Sequence, residues 1–93
     1  MAVKTYRVVV RGAVTGVGFR WSACREAGRH GGLRGWIRNA DDETVECLVQ
    51  GESADVLDFI AWLRHGPILA VVSECEVCEV HSPGPLAPFA TVP

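Results

Sequence analysis

The chain has 93 residues and a formal net charge of −2, and 48% of its residues are hydrophobic while 22% are charged. That size and composition indicate one small globular domain spanning residues 1–93, and the slightly negative charge argues against a nucleic-acid partner. No apolar stretch is long enough to cross a bilayer and the charged, valine-rich start is unlike a signal peptide, so we expect a cytoplasmic protein without a membrane partner.

The first half of the chain predicts a strand, a glycine loop, a helix and two more strands. In chain order these are Tyr6–Arg11, Gly12–Gly18, about Arg20 to His30, Leu33–Asn39 and Thr44–Gln50. We expect Gly31-Gly32 to end the helix. The polar segment Ala40–Glu43 predicts a turn that joins the last two strands into an antiparallel hairpin.

The second half predicts a helix and a long strand. Ser53 is expected to cap the helix at its N-terminus, and Gly66-Pro67 to end it. Its buried side is expected to comprise Val56, Leu57, Phe59, Ile60 and Leu63. The strand runs from Ala70 to Val80, with a slip in its alternation between Val72 and Cys75 that is typical of a β-bulge. Phe89–Val92 is expected to add a short edge strand.

The resulting order, β-α-β-β-α-β, indicates the fold class. Both helices must cover the same face of one sheet, which predicts an α+β two-layer sandwich of the ferredoxin-like kind with an antiparallel sheet. Because such a fold hosts many unrelated functions, the function has to be inferred from the residues of a site.

The cysteines favour a structural role. Cys75 and Cys78 have the spacing of a zinc or redox motif, but residues three apart in an alternating strand face opposite sides of the sheet. The other two, Cys24 and Cys47, supply no second pair at matching spacing. Reduced structural thiols are therefore favoured over metal binding or redox chemistry, while a disulfide stays open.

The loop after the first strand has the composition of an anion site. Gly12, Gly16 and Gly18 allow the backbone to curl so that successive N–H groups point inward. Arg20 stands at the start of the helix, so its guanidinium and the helix N-terminus can serve one phosphate-sized anion. The alternative is that the glycines only turn the chain and Arg20 is an ordinary surface residue. A Walker loop is excluded because no Gly-Lys-Ser/Thr follows, and a third glycine of a dinucleotide fingerprint is missing.

A second group of residues lies on the next strand. Alternation places Trp36 and Arg38 on one face of this strand, and Gly35, Ile37 and Asn39 on the other. Asn39 ends the strand. Asparagine at this position is either a simple turn former or a polar group presented to a ligand.

These two segments carry a resemblance to a known family. Val14–Arg20 resembles the acylphosphatase signature, whose usual form is Val-Gln-Gly-Val-Gly-Phe-Arg, and Gly35–Asn39 followed by Val45-Glu46 is similar to its second motif. The similarity continues to about residue 80. It implies a monomeric enzyme that hydrolyses acyl phosphates to a carboxylate and inorganic phosphate, with no metal or cofactor.

The resemblance also implies roles for individual residues. Arg20 binds the phosphoryl group, and Asn39 holds the attacking water. The phosphoryl oxygens are cradled by the backbone N–H groups of Thr15, Gly16, Val17, Gly18, Phe19 and Arg20.

Three positions depart from the family pattern. Thr15 replaces the usual glutamine, and we expect a small effect because the cradle is mostly backbone. Ala40 replaces a common threonine after Asn39. Asp42-Glu43 replaces Asp-Gly in the hairpin, so the turn loses a residue that easily adopts positive φ.

The rival interpretation is a non-catalytic ferredoxin-like module that binds an anion, a carbamoyl-type ligand or RNA. The RNA version is disfavoured because no aromatic-rich Lys/Arg-Gly-Phe-Gly-Phe segment lies on a central strand. Turnover of an acyl phosphate separates the enzyme from the binding module.

Overall fold

The structure, a computed structural model, describes residues 2–93 and contains a five-stranded sheet with two helices packed on one face. In chain order the elements are β1 (Val3–Ala13), α1 (Phe19–Gly28), β2 (Arg34–Asp41), β3 (Thr44–Glu52), α2 (Ser53–Leu63), β4 (Val71–Glu79) and β5 (Ala90–Thr91). The strand order is β4-β1-β3-β2-β5. The predicted ferredoxin-like α+β fold is confirmed. None of the helices formed by these residues is long and apolar enough to cross a membrane.

The direction of the strands determines what lies at each edge of the sheet. Central β3 pairs antiparallel with both β1 and β2, and β1 also pairs antiparallel with β4. The strands β1 and β2 therefore run in the same direction. Their C-terminal ends lie along the same edge of the sheet, by which we mean the edge formed by strand ends and not an outer strand. The expectation of a wholly antiparallel sheet is wrong for β5, which pairs parallel with β2. Residues 80–89 carry the chain from the β4 edge to the β2 edge and reverse its direction.

The core lies between the sheet and the helices, as the alternation of the strands requires. Its fully buried members include Val8, Val10, Val45, Cys47 and Val49 of the sheet and Phe19, Ala23, Val56, Phe59 and Leu63 of the helices. Leu57 was expected in this core, but it is 52% exposed. Val56, Phe59, Ile60 and Leu63 already form the i, i+3, i+4, i+7 stripe, and Leu57 lies about 100° around the helix from Val56.

Several element ends differ from the sequence prediction. The first helix ends at Gly28 instead of His30, because the N–H of Arg29 bonds the carbonyl of Glu26 in a tightened last turn. Ser53 is the first helical residue and not the cap. The cap is Glu52, whose carboxylate accepts a hydrogen bond from the Ala54 N–H at 3.1 Å.

The strands are bounded by their pairing. β1 is longer than the predicted Tyr6–Arg11 because β3 and β4 offer partners along the whole of Val3–Ala13. The predicted bulge in β4 is confirmed. Arg11 pairs with Glu74 and Gly12 with Val72, which leaves Ser73 as the extra residue.

Candidate active site

The glycine loop and Asn39 lie at the same edge of the sheet. The loop follows the C-terminal end of β1, and Asn39 lies near the C-terminal end of β2. Val45 of β3 pairs with Val10 on one side and with Asn39 on the other. Neighbouring strands are about 4.8 Å apart, so Asn39 and Val10 lie about 10 Å from each other across β3. The topology thus brings together the two segments that the sequence singled out.

The loop is anchored in the core at both ends, and between these ends two of its glycines adopt a left-handed backbone conformation. Val14 and Phe19 are buried in the core, with 0% and 2% of their surfaces exposed. Gly16 and Gly18 have φ values of 72° and 75°, which non-glycine residues rarely adopt. Left-handed residues alternating with ordinary ones give the backbone a concave side lined by N–H groups.

The N–H groups on this segment have no backbone partner. Within residues 2–93, none of the N–H groups of residues 15–20 donates to a backbone carbonyl, and the first helical bond runs from Ser22 N–H to the Gly18 carbonyl at 2.9 Å. Gly18 has no side-chain cap to offer. The positive end of the α1 dipole lies where this segment enters the helix. Such a segment can accept an anion.

Arg20 lies in the first turn of α1 and is half-buried. Its guanidinium has no carboxylate within 4.0 Å among the described residues, whereas Arg7, Arg11 and Arg38 each form ion pairs with glutamates. A cation at a helix N-terminus is unfavourable beside the positive dipole end unless an anion joins it. The charge arrangement therefore suits a bound anion.

Asn39 is exposed at the open end of the sheet. It lies on the same face of β2 as the buried Gly35 and Ile37, which is the face that the helices cover. The predicted facing of this strand is confirmed, since Trp36 and Arg38 lie on the other side, where the Arg38 guanidinium is 6.0 Å from the Trp36 ring centre. The Asn39 side chain is thus available at the edge where the loop lies.

The turn after Asn39 is built without any positive-φ residue. No non-glycine residue among those described has positive φ. Instead, pairing shifts between Asn39 and Asp41, which makes Ala40 a bulge, and only residues 42–43 remain in the turn. The Asp41 carboxylate accepts the Glu43 N–H at 2.9 Å, and this hydrogen bond, with one from Thr44, holds the pKa of Asp41 below its usual range. The turn expected to span Ala40–Glu43 is shorter because the bulge and the Asp41 side chain replace the missing glycine.

Two hydrogen bonds join the loop to this turn. The Thr15 hydroxyl donates to the carbonyl of Asp42, and the Gly12 N–H donates to the carbonyl of Glu43 at 3.0 Å. Neither contact is apparent from the sequence. No sequence signal marks them, because they join residues about 30 positions apart through a register that only the folded sheet defines.

The thiol closest in sequence to Arg20 is that of Cys24. Burial raises the pKa of Cys24, one turn after Arg20, and the Arg20 charge offsets this only in part. Burial raises the pKa of Cys47 much further. All four cysteines are free in the structure, and the predicted facing of Cys75 and Cys78 toward opposite sides of β4 is confirmed by their burial.

A wide groove in the described part of the chain lies elsewhere. It has a volume of about 1000 Å³ and lies at the opposite edge of the sheet, between the start of β1 and the segment after β4. Its Lys4 and Glu79 already pair with each other at 3.2 Å. The unpaired donors and the unpaired guanidinium of the loop make the loop the better candidate for a reactive site.

Comparisons with known proteins identify the family of the chain. The family model described as Acylphosphatase matches residues 6–91. An acylphosphatase of Burkholderia lata is 52% identical over 73 residues, which cover 77% of this chain and 72% of that protein. The crystal structure of acylphosphatase from Bacillus subtilis superposes with a TM-score of 0.88 at 33% identity, covering 98% of this chain and 99% of that one. An acylphosphatase from Coxiella burnetii gives a TM-score of 0.88 at 30% identity, covering 97% and 93% of the two chains.

Proposed function

Because the chain belongs to the acylphosphatase family and is an enzyme that hydrolyses acyl phosphates, we propose a mechanism that uses only residues at the described edge of the sheet. The N–H groups of residues 15–20 and the Arg20 guanidinium hold the phosphoryl group. Asn39 positions a water molecule that attacks phosphorus directly. One observation within residues 2–93 carries this proposal. A run of N–H groups without backbone acceptors ends at an arginine without an ion-pair partner, at the same sheet edge as an exposed asparagine.

The balance of the reaction explains why so few groups are needed. The water oxygen forms a bond to phosphorus, the bond between phosphorus and the acyl oxygen breaks, and its electron pair leaves with the carboxylate. That carboxylate has an aqueous pKa of about 4, so it leaves as a stable anion without a general acid. The proton lost by the water stays on the phosphate product. The transition state is loose and anionic, so positioning and charge stabilisation supply the catalysis.

Attack by water is favoured over attack by a protein nucleophile. Cys24 is the thiol closest in sequence to Arg20, and its raised pKa keeps it in the unreactive protonated form. Because the proposed mechanism uses no general acid, it also predicts selectivity between phosphate substrates. A phosphomonoester leaves as a basic alkoxide that this site has no group to protonate, so we expect its hydrolysis to be far slower than that of an acyl phosphate.

The uncovered face of the sheet supports a small-molecule substrate. Arg7 and Arg38 both bind the Glu46 carboxylate, at 2.6 and 2.7 Å, and Arg11 pairs with Glu76 at 2.9 Å. Arg11 also lies 3.7 Å from Glu74. Three carboxylates thus balance the three arginines, which do not form the free basic surface that a nucleic acid requires. The protein we propose is cytoplasmic and monomeric. Light scattering after gel filtration tests the monomeric state.

The decisive experiment follows the hydrolysis of benzoyl phosphate by absorbance, with inorganic phosphate as a competitive inhibitor. Arg20→Ala should lose both turnover and inhibition by phosphate, because the anion loses its charged partner. Asn39→Ala should lower kcat by about 10²-fold or more, the cost typical of removing one precisely placed polar group, and should keep its phosphate affinity. A metal chelator should change neither the turnover of benzoyl phosphate nor its inhibition by phosphate.

A matched control lies on the same helix. Arg25→Ala removes an equal charge one turn beyond the site, where the guanidinium is 5.4 Å from the Trp21 ring centre, and should leave kcat within about twofold. If Arg20→Ala kept wild-type inhibition by phosphate, the proposed cradle would be in the wrong place. Phosphate binding by a wild-type protein without turnover would instead favour the non-catalytic module.

A further inference from the structure

The glycine loop and the hairpin turn that follows Asn39 are fastened together by one backbone bond and one side-chain bond. The backbone bond joins the Gly12 N–H to the Glu43 carbonyl at 3.0 Å, at the point where the chain leaves β1. The side-chain bond joins the Thr15 hydroxyl to the Asp42 carbonyl and reaches from the first residues of the proposed cradle. Within residues 2–93, it is the only side-chain hydrogen bond between residues 14–18 and the turn.

The hairpin connects the hydrogen bond between Thr15 and Asp42 to Asn39. Only Ala40 and Asp41 separate Asn39 from Asp42, and the Asp41 carboxylate stiffens the turn by binding the Glu43 N–H. On the other side, Asn39 is fixed across from Val45 in the β3 ladder. The segment 39–43 is therefore a short unit held by the β3 ladder at one end and by the Asp41 carboxylate in the turn.

We propose that Thr15 is a positioning residue, whose hydroxyl sets the distance between the phosphoryl cradle and the water held by Asn39. This inference rests on the proposed function. The hydroxyl touches neither the phosphoryl group nor the water in this role. It acts through Asp42 and the hairpin. Placement errors of about 1 Å between reacting groups can cost about 10²-fold in rate, so a link across the site affects turnover more than binding.

The test compares two substitutions at Thr15. Thr15→Val keeps the branched shape and the backbone N–H but removes the hydroxyl, whereas Thr15→Ser keeps the hydroxyl. Thr15→Val should lower kcat for benzoyl phosphate about fivefold, the effect expected for one hydrogen bond of ordinary strength. The inhibition constant for inorganic phosphate should change by less than about twofold. Thr15→Ser should restore kcat to within about twofold of the wild-type value.

A control on the other side of β1 separates positioning from general loosening. Ser73 donates its hydroxyl to the carbonyl of Arg11 at 3.0 Å, a bond of the same type that does not reach the hairpin. Ser73→Ala should therefore leave kcat and the phosphate inhibition constant unchanged. Thermal unfolding of each variant reports how much stability each bond contributes.

Each other outcome overturns the inference. An unchanged kcat in Thr15→Val refutes it, as does a loss of phosphate affinity that equals the loss of kcat. A kcat for Thr15→Ser as low as that for Thr15→Val shows that the hydroxyl is not responsible. In all these cases the wild-type enzyme still turns over, and the proposed function stands. A wild-type protein that fails to hydrolyse benzoyl phosphate refutes the proposed function and this inference with it.

Discussion

Gly66 offers the sharpest test of how the core supports the active site. It lies just after α2 with a φ of +68°, and a Cβ placed there would lie 2.4 Å from Cε2 and 3.0 Å from Cδ2 of Phe19. Phe19 is buried against Trp62, with ring centres 5.7 Å apart, and it is the residue directly before Arg20. Gly66→Ala therefore pushes on the ring that anchors the C-terminal end of the proposed cradle.

The expected destabilisation has two parts. A left-handed alanine costs about 1 kcal/mol, and pushing a methyl group into a packed aromatic ring costs about 1–3 kcal/mol more. The sum of about 2–4 kcal/mol is a large fraction of the roughly 5–14 kcal/mol expected for a domain of this length. It corresponds to a fall in Tm of about 10–30 °C.

Gly31 provides a matched control for the backbone part alone. Its φ is +67°, and nothing lies within 4 Å of the position of its Cβ. Gly31→Ala should therefore cost only about 1 kcal/mol, and the difference between the two variants measures the pressure on Phe19.

Urea unfolding gives both free energies of unfolding, and inhibition by inorganic phosphate reports on the cradle. Gly66→Ala should weaken phosphate inhibition severalfold, whereas Gly31→Ala should not change it. Adding Phe19→Leu to Gly66→Ala should recover part of the lost stability, because the smaller side chain makes room for the methyl group. Equal free-energy losses for the two glycine substitutions would refute the packing argument. Unchanged phosphate inhibition in Gly66→Ala would separate Phe19 from the anion site.

Three further predictions concern polar and thiol groups elsewhere in the fold. Glu46→Gln should cost about 1–2 kcal/mol in urea unfolding, a value reduced because Arg7 and Arg38 are 49% and 41% exposed. Burial opposes ionisation of Glu46, but the two arginines outweigh it and lower its pKa. The stabilising contribution of Glu46 is therefore present above about pH 4.3 and is lost as pH falls through the folded-state pKa. Glu46→Gln should reduce this loss of stability at acid pH. Cys24→Ser should keep wild-type kcat, and iodoacetamide at pH 7 should not inactivate the wild-type enzyme, because burial raises the pKa of this thiol; rapid inactivation would contradict this. Gln50→Leu should cost about 1–3 kcal/mol of stability and accelerate amide hydrogen exchange at residue 86. The reason is that the buried Gln50 amide binds the carbonyl of residue 84 and the N–H of residue 86. Unchanged exchange would show that residues 84–86 are held by other contacts.

The element order could be predicted because each signal was local. Alternating apolar residues defined β1, β3 and β4, and the slip near Ser73 identified the bulge before any pairing was known. Glycines marked the loop and the end of α2. Two motifs at compatible spacing then carried the resemblance to the acylphosphatase family, and that resemblance implied the roles of Arg20 and Asn39.

What could not be predicted depends on distant parts of the chain. The direction of β5 follows from the path of residues 80–89 over the sheet, and its two paired residues carry no pattern of their own. The exposure of Leu57 depends on how α2 is rotated against the sheet, which the five apolar residues of its stripe left open. The bond from Thr15 to Asp42 requires the bulge at Ala40, and a bulge shifts every contact beyond it.

Because the proposed cradle consists of backbone N–H groups, it limits how substitutions can affect this enzyme. Only a substitution by proline removes such a donor, so every other substitution affects these N–H groups by moving the backbone. The residues that hold the loop in place are Val14 and Phe19 in the core, Gly66 beneath Phe19, and Thr15 at the hairpin. Most of them would be read as ordinary packing residues if the site were defined only by groups that touch the phosphate. Loss of activity without loss of fold is therefore expected at these supporting positions as well as at the positions proposed to contact substrate.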